Sequence, residues 1–374
     1  YDFPAVLVLT GFGLVILAGT LLLTLPAASP GPTSISPIDA LFTSTSATCV
    51  TGLIVLDTPH DFTFFGHVII LGLIQIGGLG ILVLSTFATL MIGQGLGLRG
   101  EQALGDVLDI GGARGAYRLT RFIVGTTAAI ELVGATALAV GYRQHGMAWG
   151  EAFWHGTFHA ISAFCNAGFA LQSDSIVMFQ QQPAILAVFA TLILLGGIGF
   201  IVMVTLWRWM GDHRGSEFDV QTRIVLWATG VMVLGGMILY AAVEWNHTLA
   251  GMSTVDRLSN ALFQSVTLRT AGFNSVDFAA LQPATLVVMI VWMFIGASPG
   301  STAGGIKTTT VAILLGAARA IAGGRTHVVL FGRRIPQRIV YRSAAIASVS
   351  MFILVGGLFV LLLFETIRFE ALVF

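Results

Sequence analysis

Apolar residues fill long runs along the chain, separated by connections of varied length. A helix needs about 20 apolar residues to cross a hydrocarbon core of about 30 Å. Runs near residues 4–25, 66–93, 122–142, 183–206, 224–243 and 339–364 meet that length and predict spanning helices. A further run, 283–322, is apolar at both ends but interrupted by GASPGSTAGGIKTTT, residues 296–310. That stretch holds four Gly, one Pro, six Ser or Thr and Lys307, the one Lys of the chain, and it cannot stay helical. The pattern predicts an all-α polytopic membrane protein with one broken span.

Composition agrees. Of 374 residues, 56% are hydrophobic and 10% charged, against about 25% charged in soluble domains. The first residues, YDFPAVLVLTGFGLVILAGTLLLTLP, run too long for a signal peptide and lack its basic flank, so they read as a first spanning helix. A net charge of zero without a basic aromatic patch gives no support to nucleic-acid binding. Connections 94–121, 207–223 and 319–342 carry thirteen arginines; the opposite side carries Arg143, Arg257, Arg269 and Arg368. The positive-inside rule puts the first set, and with it the N-terminus, in the cytoplasm.

The outer connections each carry an apolar segment of their own. Three align: ALFTSTSATCVTGL, GTFHAISAFCNAGF and ALFQSVTLRTAGF. Each places a Phe (Phe42, Phe158, Phe263) before small and hydroxyl residues and a Gly (Gly52, Gly168, Gly272), with the glycines 116 and 104 residues apart. This is an internal repeat of helix, half-length helix, Gly-bearing loop and helix. The units run 1–95 (pore loop 36–54), 116–210 (pore loop 150–170) and 220–322 (pore loop 255–274), with a partial fourth at 335–374. A helix too short to span, followed by extended backbone with Gly, suits a re-entrant pore loop, because irregular backbone at membrane depth must be buried in protein or line a water-filled path. Converging carbonyls can replace a cation's hydration shell. Ordinary outer loops that happen to hold glycines are the bland alternative, and three in register argue against it.

The stretches TSTSATCVTGLIVLDT, FQSVTLRTAGFNSVD and GASPGSTAGGIKTTT resemble the Ktr-type membrane subunits of the Trk/Ktr/HKT potassium transporter superfamily, and the resemblance covers essentially the whole chain. It implies four linked helix–pore loop–helix units around one ion path. Carried over, the filter segments are Val50, Thr51 and Gly52; Asn166, Ala167 and Gly168; and Thr270, Ala271 and Gly272. A Gly rather than Ser at position 52 implies potassium over sodium. The resemblance further implies K+ as the transported ion, Na+ as a coupled or stimulating ion, a membrane homodimer, and a cytoplasmic RCK-type ring whose subunits, not this chain, bind nucleotide. A fourth Gly is expected about 110 residues after Gly272, so the sequence as given reads as cut short of its fourth filter.

The interrupted stretch has a look-alike in the phosphate-binding loop, but Ile306 separates Gly305 from Lys307 and no strand precedes it. The closing helices of units one and two carry GGLG (Gly77, Gly78, Gly80) and GGIG (Gly196, Gly197, Gly199) at the matching depth, which suits close packing without a break. Only the third is expected to open. The resemblance makes this loop the gate, with Gly296, Ser298, Gly300, Ser301, Thr302, Gly304, Gly305 and Lys307 as its residues. A plain kink is the alternative; an intramembrane Lys, repelling cations beside their path, favours the barrier.

Other candidates are weaker. Glu151, His155 and His159 lie on one helical face, as metal ligands or as packing. Cys49 and Cys165 each precede a filter Gly by three residues, as buried thiols or a disulfide pair. Glu131 sits within a span as a proton relay or an interhelical partner, and Asp39 reads as the N-cap of the first pore helix. No paired carboxylates and no nucleophile with a base support an enzyme. A secondary transporter with broken helices is the rival class, but these units share one orientation, which favours a pore.

Overall fold

The structure is a computed structural model that describes residues 3–31, 34–93, 112–211 and 218–364. Three units follow one plan. In the first, α1 (Phe3–Leu23) leads to the short α2 (Pro37–Thr48), a one-turn α3 (Thr58–Asp61) and the long α4 (Phe64–Gly93). In the second, α5 (Gly112–Gln144) leads to α6 (Trp149–Phe164), then α7 (Pro183–Gly197) and α8 (Phe200–Gly211). In the third, α9 (Val220–Glu244) leads to α10 (Thr254–Thr267), then α11 (Pro283–Phe294) and α12 (Thr308–Ala322). A two-residue hairpin, β1 (Val329–Leu330) with β2 (Arg333–Arg334), precedes α13 (Gln337–Phe364). The expected start of a fourth pore helix, beyond residue 364, lies outside the described residues. So do Arg99 and Arg214 of the basic connections, and Arg368.

Length separates two kinds of helix. Among the described residues, Phe64–Leu84, Leu119–Gln144, Val220–Glu244 and Gln337–Phe364 are long and apolar enough to cross a membrane. By contrast α2, α6 and α10 have 12, 16 and 14 residues, or about 18–24 Å at 1.5 Å per residue, short of a hydrocarbon core. Two of these short helices start at a serine cap. Ser36 accepts the amide of Asp39 at 3.2 Å, and Ser253 accepts that of Asp256 at 3.2 Å. The cap of the first pore helix is therefore Ser36, not Asp39: Asp39 stands in the first turn, where its carboxylate complements the helix dipole.

The second closing helix departs from expectation. Instead of one span over 183–206, α7 and α8 meet at 109°. Gly199 turns the corner at φ +87, a conformation open to Gly at little cost. The third closing helix breaks as expected after Phe294 and resumes at Thr308. The second and third units keep register to the break, since Pro183 and Gly196 have the same spacing as Pro283 and Gly296.

Each unit is tied at the end where its first helix meets the start of the closing one. In unit one, the Thr63 hydroxyl donates to Ala27 O at 2.6 Å and the Thr63 amide to Ala28 O at 3.0 Å. In unit two, Gln182 Nε2 meets His145 Nε2 at 2.8 Å. In unit three, a fully buried carboxylate does the work. Glu244 accepts the Gln282 amide at 3.0 Å, the Thr248 hydroxyl at 2.9 Å and the Thr285 hydroxyl. It thereby holds the N-cap amide and a first-turn hydroxyl of α11, at a helix end where a negative charge is favoured.

Apolar clusters fill the spaces between units. One gathers Tyr142, Phe179, Phe189 and Phe273 between units two and three; another gathers Leu23, Phe158, Phe164 and Phe169 between units one and two. In contrast, α13 has most of its apolar side chains exposed, Phe352 at 80%.

Removing Glu244 strands buried donors at about 1–3 kcal/mol each. Glu244→Ala is expected to lower the thermal midpoint of the detergent-solubilised protein by several degrees, and Glu244→Gln by less. An unchanged midpoint in the alanine variant contradicts the anchoring role.

Candidate ion pathway

The three predicted filter segments leave the C-termini of the short helices by the same turn. Val50, Asn166 and Thr270 have φ of 56, 59 and 63, and Gly52, Gly168 and Gly272 have φ of 84, 74 and 80. Left-handed backbone is uncommon outside Gly and an outlier for β-branched Val and Thr, so two such residues flanking one ordinary residue, three times over, is a built feature. An ordinary strand sends successive groups to opposite sides; alternating the sign of φ brings successive carbonyls round to one side.

Hydrogen bonds fix this turn from behind. The Thr51 amide donates to Ser46 O at 2.8 Å, Ala167 to Ser162 O at 2.7 Å, and Ala271 to Thr267 O at 2.9 Å. The same three helix residues hold the chain just past each Gly. Ser46, Ser162 and Thr267 hydroxyls donate to the carbonyls of Leu53, Phe169 and Phe273 at 2.7, 2.8 and 2.7 Å. Among the described residues, no hydrogen bond reaches the carbonyls of the nine filter residues themselves. The carbonyls just past each Gly are claimed and these are left available.

The turns also converge. A Cβ placed on Gly52 would sit 2.5 Å from Ala167 O, and one on Gly168 would sit 2.9 Å from Ala271 O and 3.0 Å from Gly272 Cα. Each Gly is therefore needed twice, for its backbone angle and for the neighbouring strand lying against it. Behind the second turn, His159 Nδ1 donates to His155 O at 2.8 Å and its Nε2 accepts the Leu171 amide at 3.2 Å. His155 meets Gln172 at 3.0 Å. Both histidines thus brace the segment after Gly168, and Glu151, His155 and His159 form no metal-type cluster. Cys49 and Cys165 are free thiols rather than a disulfide, and only Cys165 is buried as expected, Cys49 being exposed. Glu131 is an interhelical partner: Gln75 Nε2 donates to it at 2.9 Å, and the Cys165 thiol reaches the same amide at 3.8 Å.

Beneath the turns lies the 296–310 loop. Its ends close on each other, Ile306 N to Phe294 O and Thr308 N to Ala297 O, both at 3.1 Å. Between them the backbone is spent on the second break. Ser298 N donates to Gly197 O at 3.1 Å, Thr302 N to Gly196 O at 3.3 Å, and in return Phe200 N donates to Gly300 O at 2.8 Å. The Thr302 hydroxyl is shared between Phe164 O and Gly196 O, each at 3.2 Å. Gly304 N donates to Thr270 Oγ1 at 3.0 Å, so the loop touches the third turn directly. Gly300 and Gly305 take φ of 72 and 68, and Ser298, Ser301 and Thr302 are buried. Gly296 is pressed against Gly304 and Gly305. Lys307 precedes α12 and folds back onto its own loop, Nζ donating to Ala303 O at 2.6 Å.

Two features escape the sequence reading. Gly77 and Gly196 abut Thr48 O and Phe164 O, where a Cβ would overlap the pore-helix ends, so the GGLG and GGIG runs receive pore helices as well as packing against neighbours. Arg269, counted by sequence among outer-side charges, is 1% exposed and lies at the base of the third turn. The available signal was its alignment with Cys49 and Cys165, each three residues before a Gly.

Comparison with known proteins matches this geometry to a lineage. The TrkH family, described as cation transport proteins, matches residues 8–373. The potassium/sodium uptake protein NtpJ of Enterococcus hirae is 37% identical over 366 residues, 97% of this chain and 80% of that protein. The Ktr system potassium uptake protein B of Bacillus subtilis is 37% identical over 374 residues, 99% of this chain and 82% of that protein. The crystal structure of the potassium transporter TrkH from Vibrio parahaemolyticus superposes with a TM-score of 0.68 at 24% identity, over 94% of this chain and 71% of that one, and supports the fold. The chain belongs to the TrkH family of cation transport proteins, within the Trk/Ktr superfamily.

Proposed function

We propose that this chain conducts potassium across a cell membrane, between the Gly52, Gly168 and Gly272 turns and past the 296–310 loop, which acts as the gate. The observation that carries the reading is the convergence of three turns whose carbonyls have no hydrogen-bond donor among the described residues. Unclaimed carbonyls aimed at one axis suit a dehydrated monovalent cation. The names of the 37% identical relatives supply the ion. A less selective sodium/potassium path is the second reading, favoured by the printed name of the E. hirae relative. Sodium as a coupled or stimulating ion belongs to the same proposal.

The units read as 1–95, 116–210 and 220–322, with 335–374 opening a fourth. We read the N-terminus as cytoplasmic, a reading the basic connections support. The relatives' description as part of a Ktr system favours further subunits. We read these as a second copy in the membrane and an RCK-type nucleotide-binding ring docked on the basic inner loops.

Two experiments test the reading. A Ser at 272 must adopt φ near +80 with Gly168 Cα 3.2 Å from its Cβ, a distortion of about 1–2 kcal/mol. Gly272→Ser is therefore expected to change the potassium-to-sodium uptake ratio about tenfold; an unaltered ratio contradicts the filter assignment. Deleting residues 298–303 removes the bonds to Gly196, Gly197 and Phe164 while the paired loop ends remain. Uptake without the activating subunit is the expected result, and unchanged dependence on it removes the gate assignment.

A further inference from the structure

We propose that Arg269 opposes docking of the 296–310 loop, so that its charge sets how readily the gate is released. The inference rests on the gate reading above. In the three aligned turns the residue before the first left-handed position is Cys49, Cys165 and Arg269. Two are neutral and one carries a guanidinium. That side chain is 1% exposed, and none of Nε, Nη1 and Nη2 has a hydrogen-bond partner among the described residues.

Its side chain stands beside Gly197 and Asn166, at the place where the loop docks. A Cβ on Gly197 would stand 3.9 Å from Arg269 Nη2, 3.6 Å from the Asn166 amide nitrogen and 3.5 Å from Ala297 Cβ. Ala297 opens the loop, and the next residue, Ser298, donates its amide to Gly197 O at 3.1 Å. The first loop residues therefore lie along the side of Gly197 that the guanidinium faces. Turning the Asn166 amide lets its nitrogen reach Ala163 O at 3.0 Å and Ile193 O at 3.3 Å. The amide oxygen then stands where the nitrogen did, one neutral acceptor against a full charge. The ion pairs of the described residues are His60 with Asp57 and His247 with Glu244, and neither reaches Arg269. Lys307, by contrast, is bonded to Ala303 O within the loop.

A guanidinium carries five donors and a charge that is costly to hold away from water without a partner. Docking encloses it; release of the loop opens its side of Gly197 and lets the charge be solvated. The docked state bears a penalty that the released state does not, and a neutral side chain of similar size removes that penalty. Neutralising Arg269 should hold the gate shut more firmly, although removing a positive charge near a cation path would on simple electrostatics favour entry.

The test is potassium uptake by the full-length protein in a host without uptake of its own, scaled to the amount of protein in the membrane. Arg269→Gln, Arg269→Lys and Ala297→Asp are each compared with the parent, with residues 298–303 present and deleted. With the loop intact, Arg269→Gln is expected to reduce uptake about tenfold, a shift in the closed-to-open ratio. Arg269→Lys should stay near the parent. Ala297→Asp, which offers the guanidinium a carboxylate, should reduce uptake in the same direction. With the loop shortened, the Arg269→Gln loss should vanish. Unchanged or raised uptake in Arg269→Gln, a Lys variant as impaired as the Gln variant, or an equal loss in the shortened background would each overturn the proposal. If shortening itself leaves activator dependence intact, the gate reading falls first and this inference falls with it.

Discussion

Polar backbone cannot be left unpaired at membrane depth, and the pairing of the two broken helices with each other is how this chain meets that constraint. The α7–α8 corner exposes carbonyls at Gly196 and Gly197 and an amide at Phe200. The loop after α11 supplies Ser298 N, Thr302 N and Gly300 O to match them. Neither break is stable alone: each satisfies the other's orphan groups. Because Thr302 also reaches Phe164 O and Gly304 reaches Thr270, the same bonds fix the loop against the second short helix and the third turn. The loop's position under the three turns follows from backbone satisfaction rather than from side-chain packing.

Above that joint, pseudo-symmetry is kept in the three turns and dropped in the residues around them. The three turns share their φ pattern, their amide bond back to the short helix and their hydroxyl brace beyond the Gly. The residues around them differ freely. A His–Tyr–Gln network backs the second turn, a buried carboxylate anchors the third unit, and a cysteine thiol stands where the third unit has Arg269.

The repeats and the third break were legible because they depend on residue type at fixed spacing. Phe, a short polar run and Gly recur, and GASPGSTAGGIKTTT contains what a helix rejects. The second break was not, since LLGGIGF is apolar throughout and a lone Gly199 gives no sign of a 109° corner. That corner exists because the loop of another unit pairs with it, which no local pattern records. Asp39 was misread as a cap since Ser36 precedes Pro37 by one position and either residue type serves at an N-cap. Arg269 was misread since a charge between apolar segments looks like topology, while its burial comes from residues distant in sequence, Gly197 of α7 among them.

The most direct test of this account is an experimental structure of the full-length protein in rubidium, with the ion located by its anomalous scattering. The account predicts rubidium on the axis between the carbonyls of Val50–Gly52, Asn166–Gly168 and Thr270–Gly272, above a 296–310 loop still bonded to the Gly196–Phe200 corner. Rubidium bound elsewhere, with none between these turns, would contradict it.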